Sequence, residues 1–164
     1  MRSILKVNWD SDLPIYNISQ SELQKKGINS LLLDVDGTLV NRKSNMIPKA
    51  VKNWIVESKK LFSLYLISNN PSKERIAKIA KAFNLRYKYN ASKPRKKVIL
   101  HAIKEVNYEV KNIAIIGDRI FTDIIVGNRC DVKTILVKRL NRDGLPIKFN
   151  LTLTIEKLIS HFIK

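Results

Sequence analysis

The run Leu31, Leu32, Leu33, Asp34, Val35, Asp36, Gly37, Thr38, Leu39 constrains this chain more than any other stretch. Three consecutive leucines predict a strand buried on both faces. Two carboxylates then follow at i and i+2. Burying carboxylates at the end of an apolar strand is costly unless they are paired or hold a metal. In an open α/β sheet the carboxyl ends of the strands are where ligands bind. The run therefore marks the edge of a functional site. Asp34 is positioned to act as a nucleophile on phosphorus, and Asp36 as the acid and base that serves the leaving group and then water. Gly37 supplies the turn. Thr38 is expected to hold the Asp36 carboxylate or the loop.

The remainder of the chain alternates in the same style. Strands are predicted at 30–35, 61–67, 85–89, 112–116 and 133–137. Helical spacing appears after Pro48, over 72–83, over 94–106 and over 155–163, with a short helix at 21–27 closed by Gly27. Alternating β and α segments with short connections predict a parallel sheet of about five strands covered by helices on both faces. The chain is read as one domain spanning 1–164, a length that allows a sizeable core. Trp9, Tyr16 and Trp54 are read as packing residues, and His101 and His161 as structural. The single cysteine, Cys130, excludes an internal disulfide and is read as a packed small residue. No apolar run approaches the ~20 residues of a membrane span, and residues 1–9 lack the pattern of a signal peptide.

Three more phrases fall at predicted strand ends. Ser68, Asn69, Asn70 and Pro71 offer a hydroxyl and main-chain N–H groups for a phosphate, though the same phrase is also an ordinary helix N-cap. Lys93, before Pro94, is expected at a helix N-terminus, where it would neutralise a transferred phosphoryl group. Gly117, Asp118, Arg119, Ile120, Phe121, Thr122 and Asp123 bring two further carboxylates to a strand end. The expected metal set is Asp34, Asp36 through its main-chain carbonyl, Asp118, and Asp123 as a ligand or its supporting acceptor. Mg²⁺ suits so few carboxylates because it retains water and phosphate oxygens.

In order and spacing these phrases resemble the four motifs of the haloacid dehalogenase (HAD) superfamily. The resemblance implies a Rossmann-like three-layer fold and an Mg²⁺-dependent phosphatase using an aspartyl-phosphate. It implies Asp34 and Asp36 as catalytic residues, Ser68, Asn69 and Lys93 as phosphate-binding residues, and Gly37, Thr38 and Gly117 in support. Asp34 and Ser68 are 34 positions apart, and Ser68 and Lys93 are 25. Neither interval has room for the large cap of small-metabolite HAD enzymes. Tyr16, Asn17 and Ile18 with Leu23, Gly27 and Ile28, then Ser92, Lys93 and Pro94, then the phrase from Gly117 to Ile124 with Gly127, Asn128 and Arg129, and last Thr134 to Val137, resemble the YqeG-like subgroup. That subgroup includes phosphatidylglycerophosphate phosphatases of mitochondria and plastids, and its resemblance implies that lipid as substrate. Gly37 and Arg119 depart from it, since the subgroup often has Asn and Gln there.

Lys and Arg number 31 against 14 Asp and Glu, a net charge of +17. Such a field attracts an anionic membrane surface, a phosphorylated lipid or nucleic acid. Lys138, Arg139 and Arg142, and Arg95, Lys96 and Lys97, are the candidate docking clusters. The expected location is peripheral to a membrane on the cytoplasmic or organelle-matrix side. The alternatives are a phosphatase of nucleic-acid ends, nucleotides or sugar phosphates, and a non-catalytic nucleic-acid or ribosome-binding module. The last lacks an aromatic platform for single strands.

Overall fold

A computed structural model of the chain describes residues 4–44 and 46–162. Met1, Arg2 and Ser3, on which the reading of the first nine residues partly rests, and Ile163, the expected end of the last helix, lie outside the described residues. The sheet has six parallel strands rather than five: β1 (Trp9–Asp10), β2 (Ser30–Leu33), β3 (Ser63–Ile67), β4 (Arg86–Lys88), β5 (Ile113–Gly117) and β6 (Lys133–Leu136). Their spatial order is β1-β6-β5-β2-β3-β4. The additional strand is a two-residue edge that pairs Trp9 with Ile135 and Asp10 with Leu136. So short a strand has no alternation to read.

The helices are α1 (Gln20–Lys25), α2 (Lys49–Leu61), α3 (Lys73–Phe83), α4 (Lys97–Val106), α5 (Ile125–Arg129) and α6 (Leu151–Phe162). Helix α5 corresponds to no expected helix, and the others differ from expectation at their ends. Pro48 precedes the first helical residue of α2 instead of occupying it, and Leu61 ends that helix rather than opening β3. Ser72 caps α3, its hydroxyl accepting from the Arg75 N–H at 3.3 Å. Helix α4 begins at Lys97, three residues beyond Pro94. Helix α6 begins four residues earlier than expected, at Leu151, where the Asn150 side chain accepts from the Leu153 N–H at 3.2 Å.

Period-two alternation sorts the strands onto two cores. Leu31, Leu33, Leu64, Leu66, Ala114 and Ile116 face α2 and α3, meeting Val51, Trp54, Ile55, Ile76 and Ile79. Leu32, Tyr65, Ile67, Ile113 and Ile115 face the other way, meeting Ile99, Ala102 and Val106 of α4 and Val126 of α5. Both faces of the central strands are thus dry, which is why they read as unbroken apolar runs. Cys130 is buried in the second core, and burial pushes its thiol upward. Trp54 is buried with its indole N–H donating to the Ile18 carbonyl at 2.8 Å, which ties the N-terminal segment to α2. Trp9 and Tyr16 pack against the same core.

Connections from β2 run outward to β3 and β4, then cross back to β5 and β6 on its other side. The gap between β2 and β5 is a topological switch point, where open parallel sheets bind ligands at the carboxyl ends of their strands. Trp54→Phe should cost about 1–3 kcal/mol in urea unfolding, because it strands the buried Ile18 carbonyl and leaves a small void.

Candidate active site

Asp34 follows β2 directly, and its N–H still donates to the Ile116 carbonyl of β5 at 2.9 Å. Asp118 follows β5, Ser68 follows β3, and Lys93 lies in the loop beyond β4. The sheet therefore carries residues from four separate stretches to one edge. There Lys93 Nζ donates to Asp34 Oδ1 at 2.6 Å, to Asp123 Oδ1 at 2.6 Å and to the Ile67 carbonyl at 3.1 Å. All three charged groups are buried. Thr38 Oγ1 lies 3.0 Å from Asp34 Oδ2 and 3.5 Å from Asp118 Oδ1. It serves these two carboxylates rather than the Asp36 carboxylate or the loop, the two partners expected for it. Arg139 Nε donates to Asp118 Oδ2.

Lys93 is not at a helix N-terminus, since α4 starts four residues later. Its position is set by Asn69, whose side-chain amide donates to the Lys93 carbonyl at 3.0 Å and accepts from the Lys93 N–H at 2.7 Å. Asn69 thus clamps the lysine backbone. Ser68 is buried at the cleft floor, its hydroxyl accepting from the Asn70 N–H at 3.1 Å.

Asp36 stands apart from the other carboxylates. Its Oδ2 accepts from Asn70 Nδ2 at 2.7 Å and its Oδ1 from Arg75 at 2.8 Å. Oxygens of Asp34, Asp118 and Asp123 lie within 4.8 Å of one another, and the Asp36 carboxylate is not in that group. Three buried carboxylates with hard oxygen donors match the chemistry of a divalent cation such as Mg²⁺. Two glycines permit the close packing. A Cβ on Gly117 would lie 2.3 Å from Asp123 Cγ. Gly37 has φ +98°, and a Cβ there would lie 2.7 Å from Asp118 Oδ2.

Burial pushes Asp34 up to about 7; Lys93 opposes that rise, and Asp123 and Asp118 add to it. Asp118 is pushed up to about 6 by burial and by Asp123, against the pull of Arg139. Burial alone would lower Lys93, but Asp123 and Asp34 outweigh it and hold the ammonium above its usual range.

A cleft of about 500 Å³ opens above these groups. Its floor is Asp34, Ser68, Lys93, Asp118 and Asp123, and its walls include Arg42, Lys43, Arg119, Arg139, Arg142, Leu140 and Ile147. Sequence reasoning placed Arg139 in a docking cluster, and the structure places it on Asp118. Its position just beyond the end of β6 was the available signal. Lys138 of the same cluster pairs with Asp12 at 3.2 Å. Arg75 was not singled out, although it sits on the first turn of the helix behind the Ser68 phrase. Glu156 was also missed. It is buried, its Oε2 accepts from the Ile120 N–H at 2.7 Å and its Oε1 from Arg119 Nη2 at 3.2 Å. It thereby fixes the loop that carries Asp118 and Asp123. Its signal was that it is the lone acid of the helix over 151–162. Among the described residues, only the 35–48 loop and α2 separate Asp34 from β3, and no lid domain lies over the cleft.

Residues 90–143 match a family model described as HAD-hydrolase-like. The chain is 28% identical over 138 residues to the protein named Probable phosphatase YqeG of Bacillus subtilis, covering 83% of this chain and 80% of that one. A crystal structure of an uncharacterized protein from Listeria monocytogenes superposes with a TM-score of 0.56 at 18% identity, over 77% of this chain and 86% of that one. The structure described as that of the "putative HAD-hydrolase YfnB" from Bacillus subtilis bound to magnesium superposes with a TM-score of 0.50 at 16% identity, over 74% of this chain and 58% of that one.

Because the folded state holds protons on Asp34 and Asp118 that the unfolded chain releases near pH 4, these groups lower stability as pH rises from about 4 to about 7. A divalent cation needs them ionised. Its upward shift of the thermal midpoint should therefore be small at pH 5 and distinctly larger at pH 8; an equal shift at both would contradict the assignment.

Proposed function

We propose that this HAD-like phosphatase is an Mg²⁺-dependent phosphomonoesterase working through an aspartyl-phosphate on Asp34, with phosphatidylglycerophosphate as its substrate. One observation carries the chemistry. A buried carboxylate at the end of the central strand sits beside an ammonium, two further buried carboxylates and an open cleft.

Asp34, Asp118 and Asp123 are the residues that would hold the cation, which neutralises charge on the phosphoryl oxygens when bound. An Asp34 carboxylate oxygen attacks phosphorus, and the phosphorus–ester oxygen bond breaks in line. Asp36 gives its proton to the departing alkoxide. Asn70 and Arg75 hold Asp36 beside the cleft and outside the cluster of Asp34, Asp118 and Asp123, where it can move protons at the leaving group without serving as a cation ligand. Asp36 then takes a proton from water as the water oxygen bonds to phosphorus, and the acyl–phosphate bond breaks to return Asp34. Lys93 offsets the developing charge throughout, and its bond to Asp34 favours the ionised nucleophile. Ser68 at the floor receives a phosphoryl oxygen.

Two observations support the lipid over a small soluble ester. Among the described residues no lid domain covers the cleft, so a phosphate displayed on a larger body can enter. Its rim carries Arg42, Lys43, Arg119 and Arg142, which suit a phosphomonoester with a second phosphate nearby. The likeness to the protein named Probable phosphatase YqeG, which extends over most of both chains, supports the phosphatase chemistry and leaves the choice of ester to the cleft.

Phosphate release should be measured on phosphatidylglycerophosphate in mixed micelles with Mg²⁺, alongside soluble phosphate esters. The lipid should be strongly preferred, EDTA should abolish turnover, and Asp34→Asn should reduce kcat at least about a thousandfold with the fold retained. Turnover confined to soluble esters would keep the chemistry and discard the lipid. An active Asp34→Asn enzyme would discard the mechanism.

A further inference from the structure

Helix α6 leaves an aliphatic face uncovered. The side it turns inward carries Glu156, buried under Arg119 and the Ile120 N–H, with Leu153 and Ser160 partly buried on either side of it. The side it turns outward carries Leu151, Ile155 and Leu158, which are 61%, 46% and 55% exposed and follow one another at helical spacing. Ile159 broadens the stripe, and Leu145 and Phe149, both exposed, extend it along the preceding loop. Six of the fifteen exposed large hydrophobics among the described residues thus lie between 145 and 159. A surface helix on an isolated globule buries its aliphatic face, and a contiguous exposed patch of this kind marks an interaction surface. Polar anchors hold the helix this way round. Besides the Glu156 contacts, Lys157 Nζ donates to Asp10 Oδ2 at 2.7 Å.

We propose that this stripe is the face by which the chain docks on an anionic lipid bilayer, with α6 lying in the interfacial plane. Charge selects the occupant. The chain carries +17, so a second copy brings the same sign to the contact, while an anionic leaflet brings the opposite one. Nucleic acid would meet the charge but has no use for an aliphatic stripe. Arg142 and Lys148 supply positive charge just ahead of the stripe, while Glu156, the helix's one acid, is turned inward. Position completes the argument. Thr152 in the first turn of α6, Ile147 and Arg142 all line the cleft. A helix seated among headgroups therefore places the mouth of the cleft beside the bilayer surface.

The test reads binding without turnover, so its outcome is separable from that of the phosphatase assignment. Protein is sedimented with vesicles of phosphatidylcholine alone, and with vesicles in which phosphatidylglycerol makes up a quarter of the lipid. The wild type should pellet with the second and not with the first. Ile155→Ser combined with Leu158→Ser removes aliphatic surface without altering charge. It should lower the partition coefficient at least about tenfold, while circular dichroism, the thermal midpoint and Mg²⁺-dependent release from a soluble phosphate ester stay unchanged. Phe149→Ser, outside the helix, should weaken binding in the same direction. A wild-type protein that ignores anionic vesicles would overturn the proposal, as would a double variant that pellets like the wild type. So would a wild-type dimer that the double variant converts to monomer without any vesicle binding, since the stripe would then be a contact between copies.

Discussion

The structure turns on one buried ammonium. Lys93 Nζ sits 2.6 Å from both Asp34 and Asp123, with a main-chain carbonyl as its third acceptor. Removing such ions from water costs several kcal/mol each, and the pairing offsets that cost only when geometry is close and every donor is satisfied. Here every donor of Lys93 has an acceptor. Arg139 performs the same service for Asp118 on the other side of the cluster. Three carboxylates can therefore share a dry floor because two cations from distant parts of the chain are held against them. Asn69 clamps the first cation, and the turn after β6 delivers the second.

That arrangement depends on the sheet order. Asp34 leaves the central strand with β5 on one side and β3 on the other, so the phrases beginning at Ser68 and at Gly117 are its immediate neighbours. The chemistry divides along the same line. On the β5 side lie the carboxylates fit for a cation. On the β3 side, Asn70 and Arg75 draw the Asp36 carboxylate away from them. Two acids two residues apart thus have different surroundings, which is what separate roles as nucleophile and as acid–base require. The loop bearing Asp118 and Asp123 is fixed from behind by Glu156, so α6 both braces the site and presents the aliphatic stripe beside its mouth.

Much of this was legible in the sequence where a local signal was strong. Leu31 to Leu33 and Ile113 to Ile116 read as buried strands because both their faces are covered. Asp34, Ser68, Lys93, Asp118 and Asp123 could be placed together because each follows a strand end. What escaped was set by tertiary contact. Trp9 and Asp10 form a strand only because β6 offers an edge. Thr38 reads from the sequence as a partner of Asp36 or of the loop, and only the folded turn brings its hydroxyl to Asp34 and Asp118 instead. Arg139 looked like one more surface cation in a chain with 31 of them. Glu156 is far in sequence from the loop it holds, and only the docking of α6 joins them.

The central claim is that Asp34 carries the phosphoryl group. It is tested most directly by quenching the enzyme during turnover, reducing with borohydride, and sequencing the peptide that contains residues 31–39 by mass spectrometry. An acyl-phosphate on Asp34 would be reduced to homoserine at that position, only when substrate and Mg²⁺ are both present, with Asp36 of the same peptide and Asp118 of its own peptide unmodified. An unreduced Asp34 under conditions of rapid turnover, or reduction at a different carboxylate, would contradict the account.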